Sequence, residues 1–186
     1  KKFFLVLVLL PVIFYIGLVA LIEYDRFNSM IKPNDVPSLV KASTAPHRVT
    51  LLSSGLAAFW ARVDLIRSAK KSIEMEYFIY DLDRASRIIT QELIKKSKEG
   101  VKVRLIVDFS QPVFQLNPYV AAFLIGSGVE VRYYNTSTML SLFNVQHRSH
   151  RKLLIVDGEA VITGGRNVAD DYFEISDRYN FYDTDL

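Results

Sequence analysis

The spacing of hydrophobic positions changes along the chain, and the first pattern is a continuous apolar run. Residues 3–22 contain no charge, and such a run forms about 30 Å of helix, the thickness of a bilayer's hydrocarbon core. Pro11 and Gly17 are tolerated in membrane helices. We therefore predict a transmembrane helix over residues 1–22. A cleaved signal peptide and a buried core helix are the alternatives, but no small-residue cleavage site precedes Glu23.

The next pattern has no sustained period. Residues 23–46 carry Pro33, Pro37 and Pro46 among mixed polar residues, which is typical of a linker. Part of this segment could instead be a helix at the membrane interface. Residues 136–146 form a second irregular stretch, an apolar loop that either faces lipid or packs into the core or a partner.

From residue 47 onwards, short segments of period two alternate with segments of helical period. The alternation predicts an α/β fold with a mixed central sheet flanked by helices on both faces. The helices are expected after the N-cap candidates Ser53 and Ser54, over 84–99, over 117–125 and after Asn167. The strands are expected over 48–52, 72–80, 101–107, 129–134, 150–156 and 159–163, and a further strand begins near residue 180.

The last two complete strands form a predicted hairpin. Asp157-Gly158 is a strong two-residue turn signal. With that turn, the paired positions are 156 with 159, 152 with 163, and 150 with 165. Because side chains alternate along a strand, His150 and Lys152 share a face, and the hairpin brings them to a Gly-Gly-Arg-Asn loop.

These residues suit a phosphate group. An imidazole such as His150 can act as a nucleophile or proton donor near neutral pH, and Lys152 is a compact positive charge. Gly164 and Gly165 let the backbone approach a ligand and expose N–H groups to an anion. Asn167 adds a neutral donor.

The spacing His150-x-Lys152-x4-Asp157-x6-Gly164-Gly165-x-Asn167 resembles the HKD signature of the phospholipase D superfamily. With residue usage of a few per cent, six fixed positions would recur by chance at roughly one in 10^8 start positions. The stretches GGRNVADDYF and NFYDTDL resemble the bacterial cardiolipin synthase branch. The resemblance implies a phospholipase D-like catalytic lobe over residues 47–186, with further family sequence expected after residue 186.

The resemblance also implies a metal-free, cofactor-free exchange at a phosphodiester through a phosphohistidine. In this scheme His150 is the nucleophile, and Lys152 and Asn167 hold the phosphate with the two glycines. Asp157 belongs to the signature, but its place at the turn indicates a structural role. Asp183 is the expected acceptor for His150 Nδ1, within about 2.6–3.2 Å. Asp185 and a plain structural role for both carboxylates are the alternatives.

The composition of the chain limits which kinds of site and partner are possible. The chain has 186 residues and no cysteine, which excludes disulfides and thiolate metal sites, and its formal net charge is only +3. The basic residues are scattered without interleaved aromatics, so a nucleic-acid partner is not indicated.

Glu74 and Glu76 share one face of a predicted strand. Two interpretations stay open for them: an acid–base role, or a solvated or ion-paired surface.

Together these observations predict a membrane-anchored phosphatidyltransferase or phospholipase D acting on phospholipids. The expected location is a bacterial inner membrane, with the side of the catalytic lobe left open. Only one signature is present, whereas the family uses two, so a second lobe is expected from sequence beyond residue 186 or from a homodimer partner. The alternatives are a homodimeric nuclease of the same superfamily and an idle binding lobe.

Overall fold

The computed structural model describes residues 2–28, 46–108, 116–134 and 148–186. Helix α1 spans Lys2–Asn28, so the helix predicted over 1–22 forms and extends into the predicted linker, whose first proline is Pro33. Its function as a membrane span is not supported: within the described residues, no helix is both long and apolar enough to cross a bilayer. The predicted apolar loop over 136–146 lies outside the described residues.

Every later element belongs to one compact unit, built from residues 48–136 and 147–186. Its helices begin at side-chain caps: Ser54 accepts the N–H of Ala57, and Asp83 accepts that of Ser86. The elements in chain order are α2 (Gly55–Ser68), β1 (Ser72–Tyr77), α3 (Arg84–Lys98), β2 (Lys102–Asp108), α4 (Pro118–Gly126), β3 (Glu130–Tyr134), β4 (Lys152–Val156) and β5 (Ala160–Thr163).

The five strands form one mixed sheet in the order β3-β2-β1-β4-β5. Strands β1, β2 and β3 are parallel, whereas β4 is antiparallel to β1 and β5 is antiparallel to β4. The predicted mixed α/β class is therefore confirmed. Pairing of Tyr77 with Lys152 places the end of β1 beside the start of β4.

The sheet buries one face against the helices. Ile73, Met75 and Tyr77 of β1 lie on this face with alternate residues of β2 and β4, in a core shared with α2, α3 and α4. The other face is half-exposed or exposed, and it carries the Glu74–Arg104 ion pair at 2.6 Å. The core contacts of α2, α3 and α4 lie on the first face, so helices on both faces are not observed in the described ranges.

The hairpin has a longer turn than predicted. Val156 pairs with Ala160 and Leu153 with Thr163, so three residues, 157–159, form the loop. Asp157 and Gly158 both have positive φ, 57° and 69°, as the sequence signal implies, but Glu159 stands outside the ladder. The register is thus shifted by one residue from the prediction.

Several predicted elements are shorter in the structure: the strands predicted over 72–80 and 150–156 span Ser72–Tyr77 and Lys152–Val156. The strand predicted over 48–52 is reduced to a single bridge between Leu52 and Asp185. The helix predicted after Asn167 is one 3₁₀ turn, Asp170–Tyr172, and the Asp170 carboxylate accepts the N–H of Ala85 in the first turn of α3. Near the last residues, Leu186 exchanges two backbone hydrogen bonds with Thr163.

Candidate functional site

The candidate site lies where β1 ends and β4 begins. The exposed ring of His150 lies 4.9 Å from the ring of Phe78, at an angle of 58°. Lys152 is buried, its Nζ donates to the His150 carbonyl oxygen at 2.8 Å, and the same Nζ lies 5.6 Å from the centre of the Phe78 ring. Phe78 thus contacts both signature residues, although sequence reasoning assigned it no role.

The surroundings of the His150 imidazole lower its pKa. Partial burial lowers its pKa, and the positive charges of Lys152 and Arg148 lower it further, while Asp108 acts in the opposite direction. Burial also lowers the pKa of Lys152, against the effect of Asp183. A neutral imidazole keeps the lone pair that a nucleophile needs.

The hydrogen bond predicted between Asp183 and His150 is not formed among the described residues. Asp183 is half-buried, and its Oδ1 accepts the backbone N–H of Thr184 at 2.8 Å. Its negative charge acts instead on Lys152 and Tyr172. The predicted distance is therefore not observed, and the catalytic role of Asp183 stays a prediction.

Asn167, the last residue of the signature, is buried. Its Oδ1 accepts the backbone N–H of Ile79 at 3.0 Å, and its side chain is hydrogen-bonded to Tyr172. The amide oxygen thus accepts a hydrogen bond from the residues that follow β1. Only the amide nitrogen of Asn167 can donate to a phosphate oxygen. Asn167 therefore also fixes the end of β1 against the glycine loop.

The two glycines allow close packing of the chain that precedes Leu186. A Cβ on Gly164 would collide with Asp185 and Thr184, and one on Gly165 would collide with Asp183. The N–H of Gly165 donates to the Thr184 carbonyl at 3.1 Å. The loop is packed against residues 183–185 and the Gly165 N–H is already used, whereas the phosphate-binding role of Gly164 and Gly165 stays a prediction.

Asp157 lies at the opposite end of β4 from His150. Its carboxylate accepts three backbone N–H groups, from Lys70, Lys71 and Ser72, at 2.7–2.8 Å. These donors lower the pKa of Asp157. The contacts attach the hairpin turn to the connection between α2 and β1, so the geometry agrees with a structural part for this signature residue.

A buried charged cluster lies behind the glycine loop. Asp185, fully buried, is 3.0 Å from Nη2 of Arg62 and 3.3 Å from Nη1 of Arg166. Arg166 also donates to the carbonyl oxygens of Leu52 and Ser53. Arg166 is the unspecified position of the signature, and sequence reasoning gave it no role. The buried arginine between Gly165 and Asn167 fixes the loop from behind.

A second group of polar contacts holds the residue before His150. The Ser149 N–H donates to Asp108 at 2.8 Å, and the Ser149 hydroxyl donates to Glu76. Arg151 also approaches Glu76, at 3.5 Å. Glu74 and Glu76 are thus hydrogen-bonded and ion-paired, as one of the two sequence interpretations had it. The pairing of β1 with β4 could have indicated Glu76, but nothing in the sequence marks Asp108.

Comparison with known proteins identifies a family that matches most of the catalytic unit. Residues 63–183 match the family described as cardiolipin synthase, PLD-like domain. A cardiolipin synthase of Oceanobacillus iheyensis is 34% identical over 144 residues, which cover 77% of this chain and 30% of that protein. The chain spans between 26% and 39% of the length of the curated relatives it matches.

Solved structures share the fold at lower identity. Phosphatidylserine synthase of Haemophilus influenzae superposes with a TM-score of 0.56 at 20% identity, over 73% of this chain and 32% of that one. Nuc of Salmonella typhimurium, a phospholipase D family member, superposes with a TM-score of 0.53 at 21% identity, over 73% and 80% of the two chains. The matched family spans the sheet and the signature residues, and this chain therefore belongs to the phospholipase D superfamily, in the PLD-like domain family of cardiolipin synthase.

Proposed function

We propose that this chain is one catalytic lobe of a phospholipase D-type enzyme that transfers phosphatidyl groups between alcohols or to water. The observation that carries the proposal is the juxtaposition of the His150 imidazole, whose pKa is lowered, with the buried amino group of Lys152, which donates to the His150 carbonyl oxygen. The names of the relatives support a phospholipid as substrate, because cardiolipin synthases match over most of this chain. A membrane location is part of the same proposal, since the substrate is a lipid.

The proposed first step is attack by His150 on the substrate phosphorus. A P–N bond forms, the P–O bond to the leaving alcohol breaks, and an acid from a second lobe supplies the proton that the leaving oxygen needs. An acceptor alcohol or water then loses its proton to the same group and attacks phosphorus. The P–N bond breaks and His150 is restored as the free imidazole.

In this proposal Lys152 and Asn167 both bind the phosphate group of the substrate. The Lys152 ammonium, held by the His150 carbonyl, lies close enough to balance charge on a nonbridging phosphate oxygen. The amide N–H side of Asn167 is the complementary neutral donor. Neither residue needs a metal ion, and the proposed reaction uses none.

The site requires a second set of signature residues. We propose that a second lobe supplies them, from the same polypeptide or from another copy of it. The Asp183 carboxylate beside Lys152 then belongs to the half-site described here. Closure against the second lobe is the step in which we expect Asp183 to approach His150.

The test is a transfer assay with full-length protein in detergent. With phosphatidylglycerol as substrate, we expect cardiolipin, or phosphatidic acid when water is the acceptor, and we expect EDTA to leave the rate unchanged. His150→Ala should abolish product. His47→Ala is the matched control, because His47 is exposed and lies outside the signature, and it should retain activity.

Three outcomes would overturn the proposal. A metal requirement would rule out the metal-free mechanism. Cleavage of single-stranded DNA without any lipid turnover would favour the nuclease alternative. Equal activity of His150→Ala and His47→Ala would exclude His150 as the nucleophile.

A further inference from the structure

Helix α4 has an exposed face made of apolar side chains. None of its nine residues is charged, and only Ala121 and Leu124 are buried. Tyr119, Phe123 and Ile125 are 85%, 64% and 56% exposed. Aromatic and aliphatic groups concentrated on one exposed face indicate an interaction surface rather than scattered surface residues.

The exposed face of α3 beside it is basic. Its exposed positions after the first turn recur at helical spacing and carry no carboxylate until Glu99: Arg87, Gln91, Lys95 and Lys98. A groove of about 190 Å³ joins the two helices, lined by Arg87 and Gln91 of α3 and by Val120 and Phe123 of α4. Leu82, 46% exposed, lines the same groove, which has one carboxylate, Asp81.

We propose that this α3–α4 surface, defined by Leu82, Arg87, Lys98, Tyr119 and Phe123, is a docking site for a bilayer that contains anionic phospholipid. Docking on such a bilayer requires two kinds of residue. Apolar side chains enter the membrane interface, and basic side chains bind the anionic head groups. Charge complementarity decides the occupant: among described residues no ion pair engages Arg87 or Lys98, so their charges are available to head groups.

The docking site goes beyond the proposed function, because lipid contact at α3 and α4 requires no turnover. It would hold the catalytic unit against the surface in which its substrate lies. A His150→Ala protein should therefore dock as the unmodified protein does, although its transfer activity is lost. Failure of the transfer assay and failure of docking are thus separate results.

The chain offers a clean probe because it has no cysteine. Phe123→Cys in the full chain carries a single environment-sensitive fluorophore, and Glu159→Cys, in the exposed β4–β5 turn, is the matched control. On phosphatidylcholine vesicles that contain phosphatidylglycerol, we expect a blue shift at position 123 and quenching by brominated acyl chains. We expect neither change at position 159. The signal is local, so other membrane contacts of the chain do not produce it.

A charge-neutral variant tests the basic half of the surface. Arg87→Gln with Lys98→Gln should raise the lipid concentration needed for the position-123 signal by about fivefold per charge, the effect of about 1 kcal/mol each. Lys70→Gln with Arg178→Gln, equal in charge but outside the surface, should leave it unchanged. If the position-123 spectrum stays water-like on vesicles with and without phosphatidylglycerol, the proposal is overturned and a protein partner becomes the alternative for this surface. Equal insertion into neutral vesicles also overturns it.

Discussion

Replacing Asp185 with asparagine should destabilise the catalytic unit strongly. The substitution keeps the shape of the side chain but removes the charge that faces Arg62 at 3.0 Å and Arg166 at 3.3 Å, all three residues being fully buried. Removing one partner from a buried ion pair leaves an uncompensated charge and costs about 3–5 kcal/mol. Arg166 keeps the Leu52 and Ser53 carbonyl oxygens, and Arg62 keeps the Ala58 carbonyl oxygen and the Tyr77 hydroxyl. Both arginines therefore lose their buried counter-charge but not all of their hydrogen bonds.

That free energy is a large part of a typical unfolding free energy of about 5–15 kcal/mol. For a chain of this size it corresponds to a fall in Tm of roughly 6–20 °C. Thermal unfolding of the full chain in detergent, followed by circular dichroism, measures the fall. Asp183→Asn is the matched control, because Asp183 is half-buried and forms no ion pair within the described ranges. It should cost about 1 kcal/mol, the centre of the range for single substitutions, and equal Tm losses for the two variants would refute the reasoning.

Further predictions concern catalysis and the hairpin. The acid limb of kcat/KM should lie below the ordinary histidine pKa of about 6.5, because the pKa of His150 is lowered and activity rises as the imidazole loses its proton; Arg148→Gln should move that limb to higher pH. Lys152→Met should lower kcat more than it raises KM, since the ammonium acts on charge that develops in the transition state; a change in KM alone would contradict this. Asp157→Asn should lower Tm while kcat of the remaining folded protein is retained, because its three backbone donors lie far from His150; loss of kcat at full stability would show a catalytic part.

The sequence predicted the order of the elements better than their contacts. Alternating periods identified the helices α2, α3 and α4 and the five strands, since each has a buried face. The hairpin register was missed by one residue because Asp157 and Gly158 predict the turn but not the extra loop position of Glu159. The signature predicted the proximity of His150 and Lys152, but not its form: His150 precedes β4, which begins at Lys152, and the Lys152 amino group donates to the His150 carbonyl oxygen.

The parts that the sequence could not predict depend on long-range packing. Gly164 and Gly165 were expected to approach a ligand, but the sequence did not indicate that the segment 183–185 packs against their Cα atoms. Asp185 and Asp183 lie two residues apart and look equivalent in the sequence. Only the tertiary structure separates them, because it places the two arginines on Asp185 and leaves Asp183 beside Lys152.

The most direct test of the central claim is to trap the covalent intermediate. Full-length protein is mixed with phosphatidylglycerol, quenched within one turnover under conditions that preserve phosphoramidates, digested and analysed by mass spectrometry. The account predicts a phosphatidyl adduct on the peptide that contains His150, absent from His150→Ala and formed in the presence of EDTA. Turnover of lipid with no adduct on His150 at any quench time, or with an adduct on another residue of this lobe, would contradict it.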